Sequence, residues 1–309
     1  LKIAYLIAAH ENPTHLGRLI AALSSGSASF FIHIDKKSDT QAFASLKTER
    51  VHFIEDRVSV FWGDYSQVEA SLGLLTAAMG DAEQFDRFVL LSGVDYPLRS
   101  RAYIERFFSN APAAEFINLI AMPADAAGKP LSRLYTYRLR SSASPILRAC
   151  RKALMMTGIA PWRRDYVPAF RRHLPYAGSS WWALSRAASA HILRFAARET
   201  TLVNFFKNTV CPDESFFQTI LGNSRFMPRI TRNLTYADWS SGEASPSDIA
   251  EHHLAMFQTT AWRKNDSQHG KGEILFARKF NDQSGALIDK LDRQIAANEQ
   301  THPLAAGIS

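Results

Sequence analysis

The chain has 309 residues, enough to bury a core that needs neither metal nor disulfide staples. With 46% hydrophobic and 21% charged residues it is globular rather than disordered in composition, and no apolar run reaches the roughly 18 to 20 residues of a membrane span. A net charge of +7 invites acidic partners, whether nucleic acid, an anionic membrane face or phosphorylated small molecules, and does not choose among them.

Residues 2–9 form an apolar, β-rich run that predicts a first strand. It is too short, and too soon broken by His10, Glu11 and Asn12, to be a signal core, so a cytoplasmic chain is expected. Asn12 and Pro13 supply a cap and first turn for a helix whose stripe is Leu16, Leu19, Ile20 and Leu23. Strands follow at 30–35 and 51–54, then a helix over 65–79 with Val68, Leu72, Leu75 and Met79 at helical spacing. Further strands are predicted at 87–91 and 115–122. This alternation predicts an α/β fold with a mainly parallel central sheet covered on both faces. Ligands of such sheets lie beyond the carboxyl ends of the strands, which places His10, Asp35 and Asp95 on the functional rim.

Residues 123–177 read as an insertion rich in Pro, Gly, Ser and Arg. From Arg133 to Arg172 ten Lys or Arg residues face a single acid, Asp165. Order returns with a strand and helix from 178, a segment at 211–221, strand-like pieces near 229–234 and 273–280, and a last helix carrying Leu287, Ile288, Leu291 and Ile295. The expected organisation is one domain over 1–299, with a nucleotide-binding half at 1–122, the basic insertion at 123–177, an acceptor and catalytic half at 178–299, and a tail at 300–309. Cys150 and Cys211 are too few for a disulfide framework or a zinc site.

Dinucleotide, Walker, zinc-protease and nucleophile-elbow motifs are absent. None of the sixteen Asp residues stands two positions from another, so no DxD pair exists to hold a divalent metal, and a bound pyrophosphate would have to be met by protein cations. Arg278 and Lys279 are a tandem cation pair; on a strand they point to opposite faces, whereas at a strand end both could meet phosphate. Pro212, Asp213 and Glu214 read as a helix start, where the helix dipole would keep Glu214 ionised as a general base requires. Asp35, on the same strand face as His33, either accepts hydrogen bonds from a base or ribose or caps the next turn. Trp62, Trp181 and Trp182 either stack a sugar or base or fill core.

In chain order, IAYLIAAHENP, FFIHIDKKSD, VFWGDYSQVEASL, FVLLSGVDYPLRS, GSSWWALSR, PDESFFQTILGNS, NLTYADW and FARKF resemble glycosyltransferase family 14, the core-2/I-branching β-1,6-N-acetylglucosaminyltransferases and peptide O-xylosyltransferases. The resemblance runs from about residue 2 to 295 and is poorest in the basic insertion. It implies a GT-A fold and an inverting, metal-independent transfer from a UDP-sugar, xylose or N-acetylglucosamine, with no cofactor. The catalytic base falls on Glu214, and the diphosphate and nucleotide contacts on Arg278, Lys279, Asp35 and His10. Asp95, Ser180, Trp181, Trp62 and Asp213 would meet donor and acceptor sugars. One departure is Ser180, where the xylosyltransferases carry an Asp. Few cysteines, unlike the Golgi members, suit a cytoplasmic bacterial relative building surface polysaccharide on a glycan acceptor, with a lipid-linked acceptor met through residues 133–172 at the inner membrane face. The rival from another class is a catalytically silent sugar-nucleotide or glycan-binding module. Nucleic acid is suggested by charge alone and is not expected, because no reading motif is present.

Overall fold

The computed structural model describes residues 1–140, 144–157, 163–243, 245–258, 263–266 and 269–301. Its strands are β1 (Ile3–Ala9), β2 (Ala28–Ile34), β3 (Val51–Phe53), β4 (Arg87–Ser92), β5 (Asp95–Pro97), β6 (Glu115–Ile117), β7 (Ile120–Ala121), β8 (Tyr176–Ala177), β9 (Trp182–Ser185), β10 (Ile230–Thr231), β11 (Thr235–Ala237), β12 (Arg263–Asp266), β13 (Gly270–Glu273) and β14 (Phe276–Arg278). The helices are α1 (Pro13–Leu23), α2 (Ser66–Gly80), α3 (Arg101–Asn110), α4 (Ser132–Tyr135), α5 (Pro145–Met156), α6 (Val167–Phe170), α7 (Arg186–Arg198), α8 (Thr200–Phe206), α9 (Phe216–Gly222), α10 (Glu251–Phe257) and α11 (Gly285–Thr301).

Among the described residues the main sheet has the order β10-β6-β9-β4-β1-β2-β3. Its pairings are parallel except at β9, which runs antiparallel to both β4 and β6. Strands from before residue 122 and after 178 therefore share one sheet. The alternation of β1 explains the two layers: Ile3, Tyr5 and Ile7 pack with Leu16, Leu19 and Leu23 of α1 and with Ile288 and Leu291 of α11, while Ala4 and Leu6 face Val68, Leu74 and Leu75 of α2 and Phe216 and Phe217 of α9. The mainly parallel α/β sheet with helices on both faces is the architecture the sequence predicts. Among the described residues no helix is long and apolar enough to cross a membrane.

Three local expectations need correction. The buried face of α2 runs through Val68, Ser71, Leu75 and Ala78, with Leu72 and Met79 only partly covered, because small residues let the helix lie close to the sheet. The single strand expected at 115–122 is split: β6 lies in the main sheet and β7 pairs with β8, with Asn118 between them accepting the Asn233 N–H at 2.8 Å. Asn12 does not cap α1 with its own side chain. Asp282, 267 residues beyond His15, accepts the His15 N–H at 2.7 Å, and Asn12 Oδ1 accepts the Asp282 N–H at 3.2 Å.

Arg87 fixes the register of β9 against β4. It is 1% exposed and donates to the carbonyls of Ala114 (2.6 Å), Ala111 (2.9 Å), Pro112 (3.2 Å) and Ala183 (3.3 Å), and burial pushes its guanidinium down to about 10. Arg87→Met would leave these carbonyls without a charged donor, and should destabilise the fold by about 3 kcal/mol, read as a lower urea midpoint at unchanged slope. A loss under about 0.5 kcal/mol would show that Arg87 does not hold this junction.

Candidate active site

β9 runs against the parallel strands, so the segment leading into it, residues 178–181, lies at their carboxyl edge. This short segment touches each of the chemically interesting clusters. The Gly178 N–H donates to the Glu214 carbonyl at 2.8 Å, Ser180 Oγ donates to Asp213 Oδ2 at 2.6 Å, and the Trp181 ring lies 4.2 Å beneath the Arg278 guanidinium. Gln218 Nε2 ties the segment to α9 through the Ser179 carbonyl at 2.7 Å.

Glu214 ends a single 3-10 turn, Pro212–Glu214, and precedes α9 rather than lying in its first turn, so the helix dipole is not what governs its charge. Lys129 Nζ and Arg133 Nη1 both bond its Oε2, and both come from the stretch read as a basic insertion. Burial pushes the Glu214 carboxyl up, but Lys129 and Arg133 outweigh it and hold the group below the usual carboxylate range. Its neighbour Asp213 moves the other way: burial and the Glu214 charge push it up to about 6, against the Ser180 hydrogen bond. Two adjacent carboxyls thus have their ionisation driven apart. Cys211, beside them, is pushed up to about 11 by burial and by Asp213 and Glu214, so its thiol is neutral.

The Trp62–Gln67 turn closes this side. Gly63, at φ 64°, donates to Gln67 Oε1 at 2.6 Å, and its carbonyl accepts the Cys211 N–H at 3.1 Å. Ser66 N–H bonds Asp64 Oδ1 at 2.9 Å. Trp62 is left 66% exposed beside the Glu214 segment, while Trp182 is core at 2%.

On the other side of residues 178–181, β14 pairs antiparallel with β5 in the register Arg278↔Asp95. Asp95 is fully buried and does not reach the open rim. It accepts hydrogen bonds from the Ser92 N–H at 3.1 Å and from Ser92 Oγ, and pairs with Arg278 Nε at 3.5 Å. Arg278 ends β14, and its neighbour Lys279 bonds Ser245 Oγ at 2.8 Å, so the tandem cations address different neighbours in this structure. Asp35 takes up the turn role: its Oδ1 accepts the Lys37 N–H at 2.9 Å and its Oδ2 pairs with Lys37 Nζ at 2.9 Å. His10 is exposed, pairs with Glu11 at 3.4 Å, and its carbonyl accepts from Ser38 Oγ at 2.7 Å, which holds the ends of β1 and β2 together.

The structure therefore brings Glu214, Asp213, Ser180, Trp181, Arg278 and Asp95 around one segment, with Trp62 on one flank. His10 and Asp35 sit further along the same edge. Sequence reasoning missed Lys129 and Arg133 as site residues; the only signal was the sign of the insertion's charge. Asp238, His252 and His253 could each offer a ligand atom within 4.8 Å of the others. His253 Nδ1 accepts the Ala250 N–H at 3.0 Å, which leaves the proton on Nε2 to face Asp238 Oδ2 at 3.3 Å, a hydrogen-bonded pair rather than an open ligand set.

Gly178 has a steric reason to be glycine, since a Cβ there would lie 1.9 Å from the Asn118 carbonyl oxygen. Gly178→Ala should lower stability by about 2 kcal/mol in thermal or urea melts. Gly26→Ala, whose Cβ meets nothing within 4 Å, is the matched control, and equal melts for the two would remove the constraint.

A family model described as Core-2/I-Branching enzyme matches residues 3–260. The chain is 24% identical to a β-glucuronosyltransferase of Arabidopsis thaliana, GlcAT14A, over 95% of this chain and 64% of that protein. It is 23% identical to xylosyltransferase 1 of Homo sapiens over 96% of this chain and 31% of that protein. The chain thus spans less than two thirds of the length of these relatives. Among solved structures, mouse xyloside xylosyltransferase 1 in its apo form aligns with a TM-score of 0.36 at 11% identity, over 89% of this chain and 97% of that one. With the family match covering most of the chain, from β1 to just beyond α10, the protein belongs to the Core-2/I-branching enzyme family.

Proposed function

We propose that this chain is a glycosyltransferase that moves a sugar, xylose or N-acetylglucosamine, from a UDP-sugar to a glycan hydroxyl with inversion, without a metal. The observation that carries the reading is the Glu214 carboxylate, kept ionised by Lys129 and Arg133, on a turn bonded through the Glu214 carbonyl to the short segment 178–181 that stacks Trp181 under Arg278. Glu214 accepts the proton of the acceptor hydroxyl as that oxygen bonds the anomeric carbon from the face opposite UDP. The bond from that carbon to the diphosphate oxygen breaks, UDP leaves, and an α-linked donor yields a β-linkage. Negative charge grows on the leaving diphosphate, where Arg278 and Lys279 stabilise it more as the bond breaks than before. Asp35 and His10 border the nucleotide, while Trp62 and Ser180 border the sugars.

Glu214→Gln keeps shape but accepts no proton, so turnover of UDP-sugar should fall about a hundredfold or more while UDP affinity changes little. Full activity in that variant would exclude Glu214 as base. Wild-type activity should survive excess EDTA; a requirement for added Mn²⁺ would contradict the metal-free reading.

The setting we infer is bacterial surface polysaccharide synthesis on a lipid-linked acceptor, at the cytoplasmic face of the membrane. It is favoured by α5, where Ile146 (75% exposed), Ala149, Ala153 and Met156 (81% exposed) recur on one helical face, which is left uncovered. The side chains of Leu147, Arg148, Arg151 and Lys152 lie outside the described residues; in sequence the three cations flank this stripe, and each contributes about 1 kcal/mol near an anionic surface. Sedimentation with phosphatidylglycerol vesicles should exceed that with phosphatidylcholine vesicles, weaken in high salt, and be lost when Arg148, Arg151 and Lys152 are changed together to Ser. Indifference to vesicle charge would remove the membrane from the account.

A further inference from the structure

A base clamped by two cations is a poor base. Lys129 and Arg133 both donate to one oxygen of Glu214, and such charge-assisted bonds resist exchange for a sugar hydroxyl. Both cations are held from the backbone. Lys129 ends a turn closed by the Ala124 N–H to Lys129 carbonyl and Lys129 N–H to Ala124 carbonyl bonds, each 2.9 Å, and the Arg133 carbonyl accepts the Val210 N–H at 3.3 Å. They are nevertheless open to a ligand, at 13% and 22% side-chain exposure, against 25% for Glu214.

We propose that Lys129 and Arg133 are the receptor for an anionic group, a uronate carboxylate or its sulfate or phosphate equivalent, on the acceptor glycan, and that its arrival releases Glu214 to take the hydroxyl proton. This rests on the reading of Glu214 as base. An acceptor anion replaces the Glu214 oxygen as partner of the two cations, so neither cation is left alone and Glu214, a quarter exposed, is left to the acceptor hydroxyl, whereas a neutral sugar offers the cations no such replacement. The acceptor is the partner to expect, because the hydroxyl that Glu214 deprotonates belongs to it, while the donor's diphosphate is met by Arg278 and Lys279 beyond residues 178–181. The flank agrees in charge and shape. Arg138 donates to the Trp62 carbonyl at 3.1 Å, and the indole of Trp62 stands exposed as a face for a pyranose ring.

The groups around Glu214 set the expected titration. Lys129 reaches it from the 125–129 turn and Arg133 from α4, and Asp213 and the neutral Cys211 thiol adjoin it on its own segment. Removing the two cations from the carboxylate must raise its pKa. The test uses the intact chain saturated with UDP, with methyl β-glucuronide and methyl β-glucoside as probes that differ in one carboxylate. Affinities are read by calorimetry, and the Glu214 carboxyl by ¹³C NMR, its signal assigned with Glu214→Gln. The glucuronide should bind at least tenfold tighter and move the Glu214 midpoint to higher pH. In Lys129→Gln/Arg133→Gln the preference should fall to within about twofold, with the midpoint already raised; Lys129→Gln alone serves if the double variant melts early. Equal affinities, a preference that survives both changes, or glucuronide binding that leaves Glu214 unmoved would overturn the proposal. So would a preference seen instead for UDP-glucuronic acid over UDP-glucose in the chain without UDP, which would assign the anion to the donor. Unimpaired donor turnover by Glu214→Gln is the separate result that removes the base itself.

Discussion

The Asp95–Arg278 pair is the contact on which the rest of the edge depends. A guanidinium at the rim of a sheet is costly to cover unless a carboxylate faces it, and a fully buried carboxylate is costlier still without a cation. Here each resolves the other, and their register across β5 and β14 fixes where the C-terminal strand meets the first half of the chain. Burial pulls both groups toward neutrality, and each opposes that in the other. The contacts around the pair extend its reach. Buried His15 donates through Nε2 to the Asp95 carbonyl at 3.0 Å and lies against Phe280, while Asp282 caps α1, so the residues flanking the cation pair are clasped to the first strand–helix unit. A pair so placed contributes little net stability but much position, which is what the role proposed for Arg278 needs.

The two adjacent carboxyls show how one turn can hold opposite chemistries. Asp213 is 8% exposed with one hydroxyl partner, whereas Glu214 is a quarter exposed with two cations. Ser180 suits this division, because a carboxylate in its place would face Asp213 at hydrogen-bonding distance and add a like charge to a buried group. Glycines narrow the geometry further: Gly178 lets the Asn118 backbone approach, and Gly63 turns the loop that carries Trp62 out to solvent.

Much of the fold was legible because β1, β2 and β4 are buried on both faces and read as continuous apolar runs, and because α1 carries a clean stripe. The stripe of α2 was read one step off, since Ser71 and Ala78 line its buried face and carry no hydrophobic signal. The break after Ile117 was invisible because it arises from Gly178 and Asn233, distant in sequence, meeting Asn118. Among the site residues, Glu214, Arg278 and Asp35 stood out through their motifs, but the reason Glu214 stays ionised did not. A local reading offers the helix dipole, and the structure supplies Lys129 and Arg133 from some eighty residues upstream. Asp95 was placed correctly past a strand end, yet it serves Arg278 from beneath instead of meeting solvent.

On the proposed function, protein cations, Arg278 foremost, meet the diphosphate. Calorimetric titration of UDP and of uridine into the wild type and Arg278→Gln, all in metal-free buffer, tests it most directly. UDP should bind the wild type without metal and at least tenfold more weakly in the variant, a loss of about 1.4 kcal/mol or more, while uridine affinity is unchanged. Equal losses for UDP and uridine, or wild-type UDP binding that appears only with Mn²⁺, would contradict it.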